Sequence, residues 1–149
     1  MNQQMATTKD SIAESFIKEE LFEKYILDNY FPKEDFDLLR KNPSYKDIQE
    51  QFNYSPKLPN FQLVDKKSKT TFWVECNYRS YINALNQIQV LEPQQLEHNN
   101  SIEEPILYLI GLEGAPDNPN FIYQIPHAEI YPHMYISTAR KFLIHQEQY

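Results

Sequence analysis

The chain has little glycine, little cysteine and no long hydrophobic run. Its two glycines in 149 residues, Gly111 and Gly114, are too few for a phosphate-cradling P-loop, a dinucleotide fingerprint or a kinase glycine-rich loop, each of which needs several at fixed spacing. The single cysteine, Cys76, excludes an internal disulfide and every multi-cysteine zinc site. His98, His127, His133 and His145 form no H-E-x-x-H, and no G-x-S-x-G elbow places a serine nucleophile. The N-terminal stretch MNQQMATTKD is not a basic segment followed by an apolar one. No apolar run reaches the roughly 18 residues of a membrane span, so the expectation is a cytoplasmic protein with no membrane partner. Basic residues are the minority: 14 Lys and Arg against 21 Asp and Glu give a net charge of −7. That balance repels polyanions at long range and argues against tight nonspecific nucleic-acid binding, unless a bound metal changes the local field.

What is present is a core. Hydrophobic residues make up 41% of the chain and aromatics 14%, too apolar for disorder and of a size for one domain. The expected partition is a frayed segment over residues 1–9 and a single domain over 10–149. Ser11-Ile12-Ala13-Glu14 fits a capping box, predicting a helix from about Asp10 to Tyr30, with Pro32 ending it. Glu19 and Glu23 project from within its apolar stripe of Ile12, Phe16, Ile26, Leu27 and Tyr30. A strand is expected over Asp35–Arg40 and an extended, proline-punctuated loop over Lys41–Pro59. Asn60–Asp65 and Thr71–Tyr78 read as a hairpin across the turn at Lys66–Lys69. Alternation puts Phe72, Val74, Cys76 and Tyr78 on one face of the second strand, and Trp73, Glu75, Asn77 and Arg79 on the other. Beyond it come a helix over Leu91–Asn100 and a doubly covered strand over Pro105–Gly111. A loop follows over Gly111–Pro119, then a strand over Asn120–Ile125, and a tail holding a strand or turn and a short helix.

Paired acids at a strand start and on the next strand, with a lysine two residues beyond the second, build a divalent-metal nuclease. The carboxylates hold a hard cation through oxygen, and the cation activates water and offsets charge on the phosphate. The stretch Pro59-Asn60-Phe61-Gln62-Leu63-Val64-Asp65, the lysine-rich turn, and Phe72-Trp73-Val74-Glu75-Cys76-Asn77-Tyr78-Arg79-Ser80 resemble the PD-(D/E)XK, or restriction-endonuclease-like, nuclease superfamily. Phe22-Glu23 is similar to its helix-borne F-E pair, and Pro105–Gly114 with Pro119–Pro126 to its later core strands. The resemblance spans about Ser11 to Pro126. It implies an α/β fold with a mixed central β-sheet flanked by helices in αβββαβ order, the order that patterning gives independently.

The chain departs from the family at two positions. Asn60 stands where the family has its first metal-binding aspartate, and Asn77 where it has its catalytic lysine; Glu75 and Glu23 match. A carboxamide offers a neutral oxygen in place of an anionic one, so Mg²⁺ affinity should fall. Asp65 could replace the missing aspartate only across a bulge, since five residues along a strand reverses the face. Three expectations follow. The first is a nuclease-fold protein with a degenerate site, catalytically weak or inactive, that binds DNA or a protein. The second is an active Mg²⁺- or Mn²⁺-dependent endonuclease with Glu75, Asn60 and Glu23 at the metal and Asn77 positioning the water. The third is an interaction module that meets no polyanion.

Overall fold

The computed structural model describes residues 2–42 and 58–147, with side chains from Glu14 onward. The long helix α1 (Asn2–Tyr30) begins earlier than the expected Asp10, so Ser11 and Glu14 lie inside it and not at its start. Residues 2–10 hold Gln, Met, Ala and Lys and no Pro or Gly, and nothing in them stops a helix. Strand β1 (Phe36–Lys41) follows, and most of the loop expected over Lys41–Pro59 lies outside the described residues. Strands β2 (Phe61–Asp65) and β3 (Thr71–Arg79) form the expected antiparallel hairpin, with Gln62 opposite Trp73 and Leu63 opposite Phe72. Lys69 takes φ 64° to close the turn.

A short strand β4 (Gln87–Gln89), unforeseen from the sequence, leads into helix α2 (Pro93–Asn99), and the crossover returns as β5 (Ile106–Ala115) parallel to β3. The loop expected over Gly111–Pro119 is largely strand. β5 and β6 (Asn118–Pro126) pair out to Ala115 opposite Asn118, and Glu113 and Gly114 accept positive φ of 59° and 70° to keep the arms together. The tail forms β7 (His133–Tyr135), a one-turn helix α3 (Ile136–Ala139) and β8 (Leu143–Gln146). The main sheet runs β1-β2-β3-β5-β6-β8, mixed through its parallel β3–β5 pair, and β4 with β7 makes a small second sheet.

Alternation along the strands sorts two cores. Phe72, Val74, Cys76 and Tyr78 face α1, where they meet Phe22 and Ile26 together with Phe61, Leu63, Leu109 and Ile122. Trp73, Tyr108, Ile110, Leu112, Tyr123 and Ile125 pack on the opposite face against Ile88, Leu91 and Met134. β5 is buried on both sides, as its continuous apolar run requires. α1 crosses the sheet where β5 has no side chain: a Cβ on Gly111 would lie 2.6 Å from the Phe22 ring. Gly111→Ala is expected to cost about 1–3 kcal/mol, as overpacking does, read as a lowered urea midpoint; an unchanged midpoint would mean that the helix simply lifts.

Candidate functional site

β2 pairs with β3 only as far as Phe61 opposite Val74. Beyond that point no strand among the described residues pairs with this edge of β3, and its buried N–H groups need other acceptors. Two side chains supply them. Asn60 Oδ1 accepts the Cys76 N–H at 2.8 Å, and Glu19 Oε1, from α1, accepts the Tyr78 N–H at 3.3 Å. The same gap opens a cavity of about 280 Å³ lined by Glu19, Glu23, Asn60, Glu75, Asn77 and Arg79. All four expected site residues, Glu23, Asn60, Glu75 and Asn77, are therefore brought to one pocket.

Its electrostatics are those of acids without enough cations. Glu23 and Glu75 are 6% exposed and Asn77 8%. Burial pushes Glu75 up to about 8, and the carboxyls of Glu19 and Glu23 add to the rise; the Asn60 backbone N–H and Arg79 oppose it. Burial likewise pushes Glu19 and Glu23 up to about 7, eased for Glu19 chiefly by Arg79 and for Glu23 by a hydrogen bond from the Asn60 side chain and by Lys41. Glu23 Oε1 is buried without a hydrogen-bond partner among the described residues. Both carboxamides are committed. Asn60 bridges the Cys76 N–H to Glu23, and Asn77 Nδ2 donates to the Val90 carbonyl at 2.6 Å. Among the described residues, no three His, Cys, Asp or Glu side chains converge in a geometry that holds a metal ion.

Asp65 is not part of the pocket. Its Oδ1 accepts the N–H groups of Lys67 and Ser68 and closes the hairpin turn. Arg79, two residues beyond Asn77 on the same strand, lines the pocket as well: its Nη1 lies 3.4 Å from Glu19 Oε1, and its Nε donates to the Gln89 carbonyl at 2.7 Å. Sequence reasoning placed Glu19 on the helix stripe and Arg79 on the Glu75 face, but the pairing of residues 60 apart has no local signal. Nor does the buried chain on the other face, in which Asn99 Nδ2 donates to the Tyr108 hydroxyl, itself bonded to His127 Nδ1.

α1 brings Glu19 and Glu23 over a hairpin whose second strand bears Glu75, and a crossover returns to the parallel strand β5. The chain has the restriction-endonuclease-like fold. Hjc from Archaeoglobus fulgidus, a Holliday junction resolvase from an archaeal hyperthermophile, superposes with a TM-score of 0.54 over 80% of this chain and 90% of its own. The two are 14% identical, so the likeness is one of restriction-endonuclease-like architecture. No protein-family model matches the chain, and no curated protein sequence does. No described helix is long and apolar enough to cross a membrane.

Proposed function

We propose that this nuclease-fold protein carries a degenerate PD-(D/E)XK site, catalytically weak or inactive, and works as a nucleic-acid-binding module. The observation that carries the reading is Asn77. Where the superfamily has a lysine, a buried neutral amide is tied to the Val90 carbonyl and cannot offer a cation to an attacking water or a phosphate. Asn60 adds to it, since its oxygen serves the β3 edge and its nitrogen serves Glu23. In this reading the pocket keeps the acids Glu23 and Glu75 and, with amides at 60 and 77, lacks the aspartate and the lysine of the superfamily's motif.

A second reading, an active Mg²⁺- or Mn²⁺-dependent deoxyribonuclease, is favoured by the orphaned Glu23 Oε1 and by acids that resist ionisation without a cation. Hard oxygen donors of this kind fit such an ion, with Glu23 and Glu75 holding it and Asn60 as a neutral ligand. The ion would lower the pKa of water and neutralise phosphate charge. In that reading Asn77 positions the water.

The test is cleavage of supercoiled, single-stranded and four-way-junction DNA with Mn²⁺, together with gel shifts at low ionic strength. The expected result is binding that weakens steeply with salt and no cleavage above that of Glu75→Ala. Cleavage by the wild type that Glu75→Ala abolishes establishes the second reading. Absence of any salt-sensitive shift overturns nucleic-acid binding and leaves a protein partner.

A further inference from the structure

Arg79 and Glu19 line two cavities at once. Beside the acidic pocket lies a larger one of about 490 Å³, whose walls include Lys18, Arg79, Ser80, Tyr81 and His133. The Glu19–Arg79 pair is the partition between them. The larger cavity has the size of a small-ligand site, and its chemistry differs from that of its neighbour. Lys18, on α1, makes no ion pair among the described residues, and Arg79 uses Nε and Nη1 on Gln89, Tyr78 and Glu19 while its remaining Nη2 donors have no partner there. Glu92, the cavity's other acid besides Glu19, is exposed and accepts a hydrogen bond from the Gln89 side chain at 2.9 Å. Tyr81 stands at the rim 73% exposed, a bare aromatic ring two residues after Arg79.

We propose that this cavity is a nucleotide subsite for single-stranded nucleic acid, in which Arg79 grips a backbone phosphate next to the acidic pocket and the Tyr81 ring stacks on the adjoining base. The inference rests on the nucleic-acid-binding reading above and deepens it by naming the substrate class. A guanidinium with free donors suits a phosphate oxygen. An exposed aromatic beside it is how proteins take an unstacked base without reading its sequence, and inside a duplex that base face is already covered by its neighbours. Arg79 pairs with Glu19 at 3.4 Å and lies partly exposed to the cavity, so an incoming phosphate competes for the guanidinium while Glu19 keeps its hydrogen bond from the Tyr78 N–H.

The experiment is fluorescence anisotropy of a labelled oligothymidylate across a salt series, with wild type, Arg79→Gln, Glu19→Gln and Tyr81→Ala, and with a blunt duplex of equal length and free thymidine monophosphate as competitors. Arg79→Gln is expected to weaken binding about tenfold and to lower the slope of log affinity against log salt by about one. Tyr81→Ala should weaken it about tenfold with the slope unchanged. Glu19→Gln keeps an oxygen for the Tyr78 N–H and should tighten binding several-fold. An unchanged slope in Arg79→Gln, or unchanged affinity in Tyr81→Ala, overturns the subsite while leaving nucleic-acid binding intact. A duplex that competes as well as the strand overturns the single-strand assignment, and thymidine monophosphate that competes as well reduces it to a phosphate site. If Arg79→Gln does not fold, the exposed Tyr81 and the isosteric Glu19→Gln decide. A wild type that binds no oligonucleotide overturns the parent reading as well.

Discussion

Asn60→Asp combined with Asn77→Lys is expected to raise Mn²⁺-dependent DNA cleavage at least about 100-fold over the wild type, the low end of what a positioned proton-transfer or charge-stabilising group contributes. The scaffold already points both positions into the pocket that holds Glu23 and Glu75. An aspartate at 60 keeps an oxygen for the Cys76 N–H, and an ammonium at 77 keeps a donor for the Val90 carbonyl. What changes is charge. The aspartate removes the amide that now donates to Glu23 and sets a carboxylate against it, so the variant should melt below the wild type without metal. Millimolar Mn²⁺ should then raise its melting temperature, by an amount equivalent to about 2.7 kcal/mol where the ion exceeds its Kd a hundredfold. Metal-dependent stabilisation without cleavage would place the catalytic deficit elsewhere than these two residues. A variant that neither binds metal nor cuts would mean that the likeness to nucleases is one of architecture.

Stability should fall as pH rises from about 5 to about 8. An exposed glutamate in the unfolded chain has its ordinary value of 4.5, whereas burial holds Glu19 and Glu23 near 7 and Glu75 near 8 in the fold. Below about pH 4.5 both states carry these protons and the groups contribute no pH dependence. Above it the unfolded chain releases them first, each release favours unfolding, and the loss is complete once the pH has passed about 8. For Glu75 alone the effect is on the order of 3 kcal/mol or more. Urea unfolding at pH 5.5 and 8.5 should show the lower midpoint at pH 8.5, and Glu75→Gln, which carries no ionisable proton, should remove the largest single share of the difference. A wild type more stable at pH 8.5 would contradict the assignment of these groups as buried, under-compensated acids. Mg²⁺ or Mn²⁺ that restores the pH 8.5 midpoint would show the acids exchanging protons for a cation, the behaviour that the second functional reading requires.

Short-range order in the chain determined a good deal by itself. Alternation from Phe72 to Arg79 sorted the two faces of β3 correctly, because a strand's side chains change sides at every residue, but did not show that both faces are buried. The continuous apolar run from Ile106 announced a strand covered on both faces. Glu23 on its helix and Asn60, Glu75 and Asn77 on the hairpin were legible as candidates, since each is marked by position within a local motif. The sequence placed them near one another only through likeness to a family, and their burial needed the three-dimensional packing.

Tertiary structure alone decided the rest. That β2 stops pairing at Phe61, leaving the β3 edge to be satisfied by Asn60 and Glu19, follows from where the helix lies across the sheet. The Glu19–Arg79 pair, the β4–β7 ladder and the β8 edge strand join segments far apart in the chain. A short segment such as Gln87–Gln89 becomes a strand when a distant partner supplies its hydrogen bonds, and its own residues carry no period that could announce it. The charge of the pocket is the clearest case. Three glutamates have ordinary acidity as letters in a sequence, and they become reluctant acids only when packing removes their water.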